Sequence, residues 1–123
     1  MKHLFWVMLG GALGSGTRFL MGRWLASWSC LFPWGTFSVN VVACFVLGWL
    51  IGWADQRQSF SVAAQLFWTA GFCGGFSTFS TFSQETFGLI QRGETGTVIA
   101  FVIGSVVTCL AATAGGWYVG HQG

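Results

Sequence analysis

Long uncharged apolar stretches, separated by a few charged positions, organise this chain. The charged residues are Lys2, Arg18, Arg23, Asp55, Arg57, Glu85, Arg92 and Glu94. Residues 24–54, 58–84 and 95–123 carry none. Each of these stretches exceeds the ~20 residues that cross a ~30 Å hydrocarbon layer as a helix. The first apolar run, residues 3–17, reaches that length only with Arg18 inside it or at its end. The pattern predicts four helices, over about residues 4–25, 34–53, 61–89 and 97–119. Between them it predicts a turn over 27–33, where Pro33 ends or restarts a helix, a polar loop over 54–59 and a loop over 91–96. Trp6, Trp24, Trp34, Trp53 and Trp117 fall near predicted helix ends, as in an interfacial aromatic belt. Lys2 followed by an apolar run also fits a cleaved signal peptide, but the run continues through Arg18 to Trp24 and three more apolar segments follow.

Composition agrees with this pattern. Of 123 residues, 54% are hydrophobic and 7% charged, with a mean hydropathy of +0.67. Soluble domains carry roughly 25% charged residues, so most of this surface must face lipid or another copy of the chain. The expectation is an all-α integral membrane protein, one domain over residues 1–123. A net charge of +2, scattered along the chain, excludes a nucleic-acid footprint. No nucleophile, base and oxyanion set of the kind catalysis requires is visible, so no enzyme is expected. Charge also bears on orientation, which positive residues near the spans control. With four crossings Lys2 and Arg57 share one side, against Arg23 and Arg92 on the other, joined by Arg18 where it lies near the helix end. So even a balance predicts dual topology.

Cys30, Cys44, Cys73 and Cys109 form no CxxC pair and have no histidine nearby in sequence. They read as small apolar fillers, with no disulfide and no metal site expected. Glycines recur four apart at Gly10 and Gly14, Gly48 and Gly52, Gly71 and Gly75, and Gly116 and Gly120. That spacing lets helix backbones approach closely in lipid, either within one chain or across a dimer face; both remain open. Four short helices enclose little interior, so a pathway across the membrane needs a second subunit.

The third apolar segment departs from an ordinary membrane helix. Residues 71–85 read Gly-Phe-Cys-Gly-Gly-Phe-Ser-Thr-Phe-Ser-Thr-Phe-Ser-Gln-Glu. Gly74-Gly75 weakens a helix, and the hydroxyls that follow compete for its backbone groups. A break is expected here, at Gly74-Gly75-Phe76-Ser77. Irregular backbone at membrane depth survives only where protein buries it or water reaches it, and broken helices of this kind bind ions. Phe76, Phe79 and Phe82 recur every third residue, and Phe79 and Phe82 share a helix face. A packing stripe explains the rings, but not the interleaved Ser77, Thr78, Ser80, Thr81 and Ser83. Positive ring edges together with hydroxyl and amide donors can hold a small anion. Asn40 is a polar amide within another span, where it needs a partner; an interhelical hydrogen bond and a pore role are equally open. Thr36 and Ser38 can extend a polar track beside it. On the fourth helix Ser105 and Thr108 share a face and can do the same.

The 71–85 motif, the Gly-Thr-x-x-x-Asn of residues 35–40 and the glycine-rich first helix running from Gly10 to Arg18 together resemble the Fluc (CrcB) fluoride channel family. The resemblance covers essentially the whole chain. It implies an antiparallel, dual-topology homodimer in the bacterial inner membrane, passing fluoride passively through two pores at the subunit interface. It assigns Asn40 and the Phe79–Phe82 pair to the fluoride pathway, where Ser80, Thr81, Ser105 and Thr108 would supply further donors. It implies a central structural sodium ion held by the backbone carbonyls of Gly74 and Ser77; the family more often has Thr in place of Ser77, a change a carbonyl ligand tolerates. Arg18 would serve a structural or vestibule role, and Glu85 matches an acidic position beyond the phenylalanines. Small multidrug exporters are also four-span dual-topology dimers, but they need a carboxylate in the first helix, where this chain has Arg18. A non-conducting assembly subunit would account for the glycines but not for the Phe/Ser/Thr segment.

Overall fold

The computed structural model describes residues 1–28, 32–57 and 60–123; Cys30 and part of the expected 27–33 turn lie outside them. The described residues are helical, with no strand. Helix α1 spans Lys2–Leu25, with a short 3-10 turn at Ala26–Trp28. Helix α2 spans Trp34–Arg57. The next segment comprises α3 (Val62–Leu66), a π-helical stretch (Phe67–Cys73) and α4 (Gly74–Phe76). Helix α5 follows at Phe79–Gln91, and α6 spans Thr95–Gln122. Helices α1, α2 and α6 are each long and apolar enough to cross a membrane. The segment expected as the third span is helical but discontinuous.

Two boundaries differ from expectation. Residues 54–57, expected as loop, continue α2: no Gly or Pro interrupts them, and Arg57 in the last turn complements the negative end of the helix dipole. The loop expected over 91–96 shrinks to three residues. Gly93 adopts φ 74°, its N–H donates to the Ile90 carbonyl, and the Glu94 N–H donates to that of Leu89. This Schellman closure needs a left-handed residue, which glycine adopts without strain. Ser61 starts α3 by accepting a hydrogen bond from the Ala64 N–H at 3.1 Å.

Helix α2 makes its most extensive contact with α6, and α1 packs along the π-helical stretch and α4. The glycines determine both contacts. A Cβ on Gly48 would lie 2.1 Å from the Thr113 carbonyl oxygen, and one on Gly52 2.3 Å from that of Trp117. From the other side, Cβ atoms on Gly116 and Gly120 would lie 2.1 and 2.2 Å from the carbonyls of Phe45 and Trp49. The two helices run parallel, backbone against backbone. Gly10 and Gly14 meet the carbonyls of Phe67 and Phe72 in the same way, while Gly75 meets that of Gly11. Of the two uses left open for these spacings, packing within the chain is the one the glycines make. Gly116→Ala is therefore expected to destabilise the fold by about 2 kcal/mol or more, read as a lower thermal midpoint in detergent. Gly115→Ala, one residue away with nothing within 4 Å, should leave the midpoint unchanged.

The core is small: Val39, Ala43 and Phe76 cluster together, with Met21 and Phe72 packed against them. Large apolar side chains such as Leu20, Ile103, Val107 and Leu110 are exposed along the helices, as lipid-facing surface requires.

Candidate functional site

The helix break lies one step beyond the glycines. Gly74 and Gly75 remain helical in α4, and the chain becomes extended at Ser77 (φ −77°, ψ 155°) and Thr78 (φ −150°, ψ 122°). The opening thus falls at the last residue of the expected Gly74-Gly75-Phe76-Ser77 stretch, and a partner on another helix stabilises it. Asn40 on α2 accepts a hydrogen bond from the Thr78 N–H at 3.0 Å and donates its Nδ2 to the Thr78 carbonyl at 3.4 Å. One side-chain amide satisfies both backbone groups of a single extended residue. Of the two roles left open for Asn40, the interhelical hydrogen bond is in place, and its partner is the break itself.

Local hydroxyls complete the turn. Ser77 donates both its N–H and its Oγ to the Cys73 carbonyl, each at 2.9 Å. Thr78 is the N-cap of α5: its Oγ1 accepts from the Thr81 N–H at 3.3 Å and lies 3.1 Å from Ser80 Oγ. These bonds divert two amides. In an unbroken helix the Thr78 N–H would bond the Gly74 carbonyl and the Thr81 N–H that of Ser77. Here the first goes to Asn40 and the second to the Thr78 hydroxyl. The two carbonyls assigned by resemblance to a cation are those whose helical donors are taken, and Gly74 is exposed. Their hard oxygens suit an alkali ion.

The phenylalanines divide at the break. Phe76 turns into the core and stacks on Phe72, ring centroids 5.8 Å apart. Phe79 and Phe82 face each other at 5.4 Å, with their planes tilted by 37°. Phe82 in turn contacts the fully buried Phe101 of α6 at 4.9 Å. Phe79 is 79% exposed. Ser105, one turn after Phe101, is only 6% exposed, and its hydroxyl is buried without a hydrogen-bond partner. The parallel register that sets Gly48 against Thr113 and Gly52 against Trp117 brings Ser105 level with Asn40. Thr108 is half-buried on the same face of α6.

A cavity of about 890 Å³ opens beside this region. Arg18, Arg23 and Arg92 line it together with Glu85, Thr36, Thr78 and Thr81. Thr36 donates to Glu85 Oε1 at 2.8 Å, while Glu85 Oε2 is buried without a partner. Three guanidinium groups against one carboxylate give the cavity a positive field that concentrates anions. Arg23, Arg92 and Gln84 were missed as site residues, and Thr78 was named only as one of five hydroxyls, not as the residue at which the helix restarts. For the arginines the signal was their place at span ends; for Thr78 it was a hydroxyl immediately before a helix-forming run.

Residues 5–117 match the family described as "CrcB-like protein, Camphor Resistance (CrcB)". The chain belongs to this family. It is similar to the "Fluoride-specific ion channel FluC" of Nitrobacter winogradskyi, 45% identical over 89% of this chain and 88% of the relative. Proteins of the same name resemble it from Rhizobium etli, 41% identical over 94% of each chain, and from Bacteroides fragilis, 36% identical over 99% of this chain and 98% of the relative. Against these CrcB-like relatives the chain is matched along nearly its full length, from the glycine-rich α1 through the break to α6.

Proposed function

We propose that this chain is a fluoride-selective channel that works as an antiparallel homodimer in the bacterial inner membrane. The broken segment from α3 to α5 makes the fourth crossing beside α1, α2 and α6. Fluoride enters through the arginine-lined cavity and passes the Phe79–Phe82 pair, where ring edges, the Asn40 amide region and the hydroxyls of Ser80, Thr81, Ser105 and Thr108 replace its water. The reading rests above all on the Ser105 hydroxyl, a buried donor with no partner beside a paired aromatic face. A desolvated hydroxyl is costly unless something accepts from it, and a passing anion does so. A sodium ion between the two chains would take the carbonyls of Gly74 and Ser77 as ligands, two from each chain, and place positive charge between the two anion routes. Arg18 serves the entrance, and Glu85 orders its wall through Thr36.

Fluoride efflux from liposomes holding the purified protein tests this, with chloride as the control. Fluoride is expected to leave rapidly and chloride to stay. Phe79→Ile and Phe82→Ile should each cut fluoride efflux by about 100-fold, a loss of roughly 2.7 kcal/mol in barrier terms, with the dimer still folded. Liposomes that release neither ion would refute the channel. Unchanged efflux in both isoleucine variants would return the rings to packing.

A further inference from the structure

Helices α2 and α6 lie in parallel with Gly48 against Thr113, Gly52 against Trp117 and Gln56 bonded to His121. One turn before Gly48 on α2 stands Cys44, and one turn before Thr113 on α6 stands Cys109. The seam therefore sets the two cysteines level, one turn from the Gly48–Thr113 contact. Both are free and half-buried. The geometry points to a two-coordinate site for a soft divalent cation, of the mercuric type, bridged between Cys44 and Cys109.

The choice of ion follows from the donors and the medium. Thiolates select soft metals. Among the described residues no three metal-binding side chains stand together, so the four ligands of a zinc site are not available. Two sulfurs suffice for an ion that prefers linear coordination. Binding breaks two S–H bonds, forms two metal–sulfur bonds and releases two protons to water, with no change of oxidation state. A divalent ion with two thiolates is neutral. A monovalent soft ion would leave a net negative charge in apolar surroundings, which is costly. Cys44 also borders a small cavity on its other side, shared with Cys73 of the broken segment. The site depends on the α2–α6 register alone and stands whether or not the chain conducts fluoride.

The test uses the full-length protein carrying Cys30→Ser and Cys73→Ser, so that only Cys44 and Cys109 remain. It is treated with mercuric chloride in detergent and then washed with an excess of a monothiol. One mercury per chain should be retained, with both thiols shielded from maleimide. Adding Cys44→Ser or Cys109→Ser should weaken retention by about 100-fold, because the second sulfur acts at high effective concentration. Mercury stripped as readily from the two-thiol protein as from the one-thiol variants would overturn the site. Should any serine variant fail to fold, peptide mapping of mercury-treated wild-type protein decides. A mercury bridge between the Cys44 and Cys109 peptides supports the site, and a bridge between Cys44 and Cys73, or none, overturns it.

Discussion

Asn40→Ala is expected to abolish fluoride efflux and to destabilise the protein together. The Asn40 amide satisfies both the N–H and the carbonyl of Thr78, and alanine leaves both without a partner at membrane depth. Each orphaned backbone group costs about 1–3 kcal/mol, so the loss is of the order of 2–6 kcal/mol and should lower the thermal midpoint in detergent sharply. The break has an alternative when Asn40 is removed: Thr78 can return its N–H to Gly74 and extend α4 toward α5. That would rotate Phe79 and Phe82 away from their present facing and reclaim a carbonyl proposed for sodium. Asn40→Asp separates the two roles. A carboxylate still accepts from the Thr78 N–H but cannot donate to the Thr78 carbonyl, and it places negative charge beside the proposed anion route. It is expected to retain more stability than alanine while conducting no better at neutral pH. An alanine variant with wild-type midpoint and wild-type efflux would show that Asn40 neither holds the break nor serves the route.

How much of this was legible depends on whether the determining contact was local. The spans were legible because charge is excluded from hydrocarbon whatever the neighbours, so α1, α2 and α6 fell close to their expected bounds. That the third span breaks was legible too, from glycines followed by five hydroxyl residues. The residue within 74–77 at which it opens was not. Gly74 and Gly75 stay helical because a continuous turn costs them only propensity, whereas Ser77 and Thr78 open because Asn40, far away in sequence, binds the exposed backbone. The π-helical stretch had no local signal, and it sits where Gly10 and Gly14 press α1 against the carbonyls of Phe67 and Phe72. Glycine spacing announced close approach without naming partners. The cysteines looked inert for the same reason: Cys44 and Cys109 become a pair only through a register created by Gly48, Gly52, Gly116 and Gly120. Of the expected site residues, Asn40, Ser77, Ser80 and Thr81 converge on the break. Ser105 joins through α6, while Arg18 and Glu85 stand together in the neighbouring cavity with arginines that sequence spacing did not connect to them.

Gly74→Leu should leave a folded protomer that neither dimerises nor conducts. A Cβ at Gly74 would find only the Thr69 carbonyl oxygen, at 3.9 Å, and the residue is exposed, so the chain itself has room for a side chain there. Leucine also forms helix better than glycine, which removes helix weakening as an explanation of any loss. What the side chain obstructs is the face on which the proposed second chain and the shared sodium ion would lie. The expected results are a normal helical signal, elution of the purified protein at monomer size in mild detergent, and fluoride efflux reduced by at least about 100-fold, equivalent to roughly 2.7 kcal/mol. Gly75→Leu is the contrasting variant. Its Cβ would lie 2.5 Å from the Gly11 carbonyl oxygen, so it should damage the α1 contact and lower the thermal midpoint before any question of a partner arises. Ser77→Ala completes the set: it removes a hydroxyl that bonds Cys73 but keeps the carbonyl, so dimer size and its response to sodium withdrawal should match the wild type. A Gly74→Leu protein that elutes as a dimer and releases fluoride at the wild-type rate would remove the two-fold contact, and with it the sodium site, from this face of the molecule.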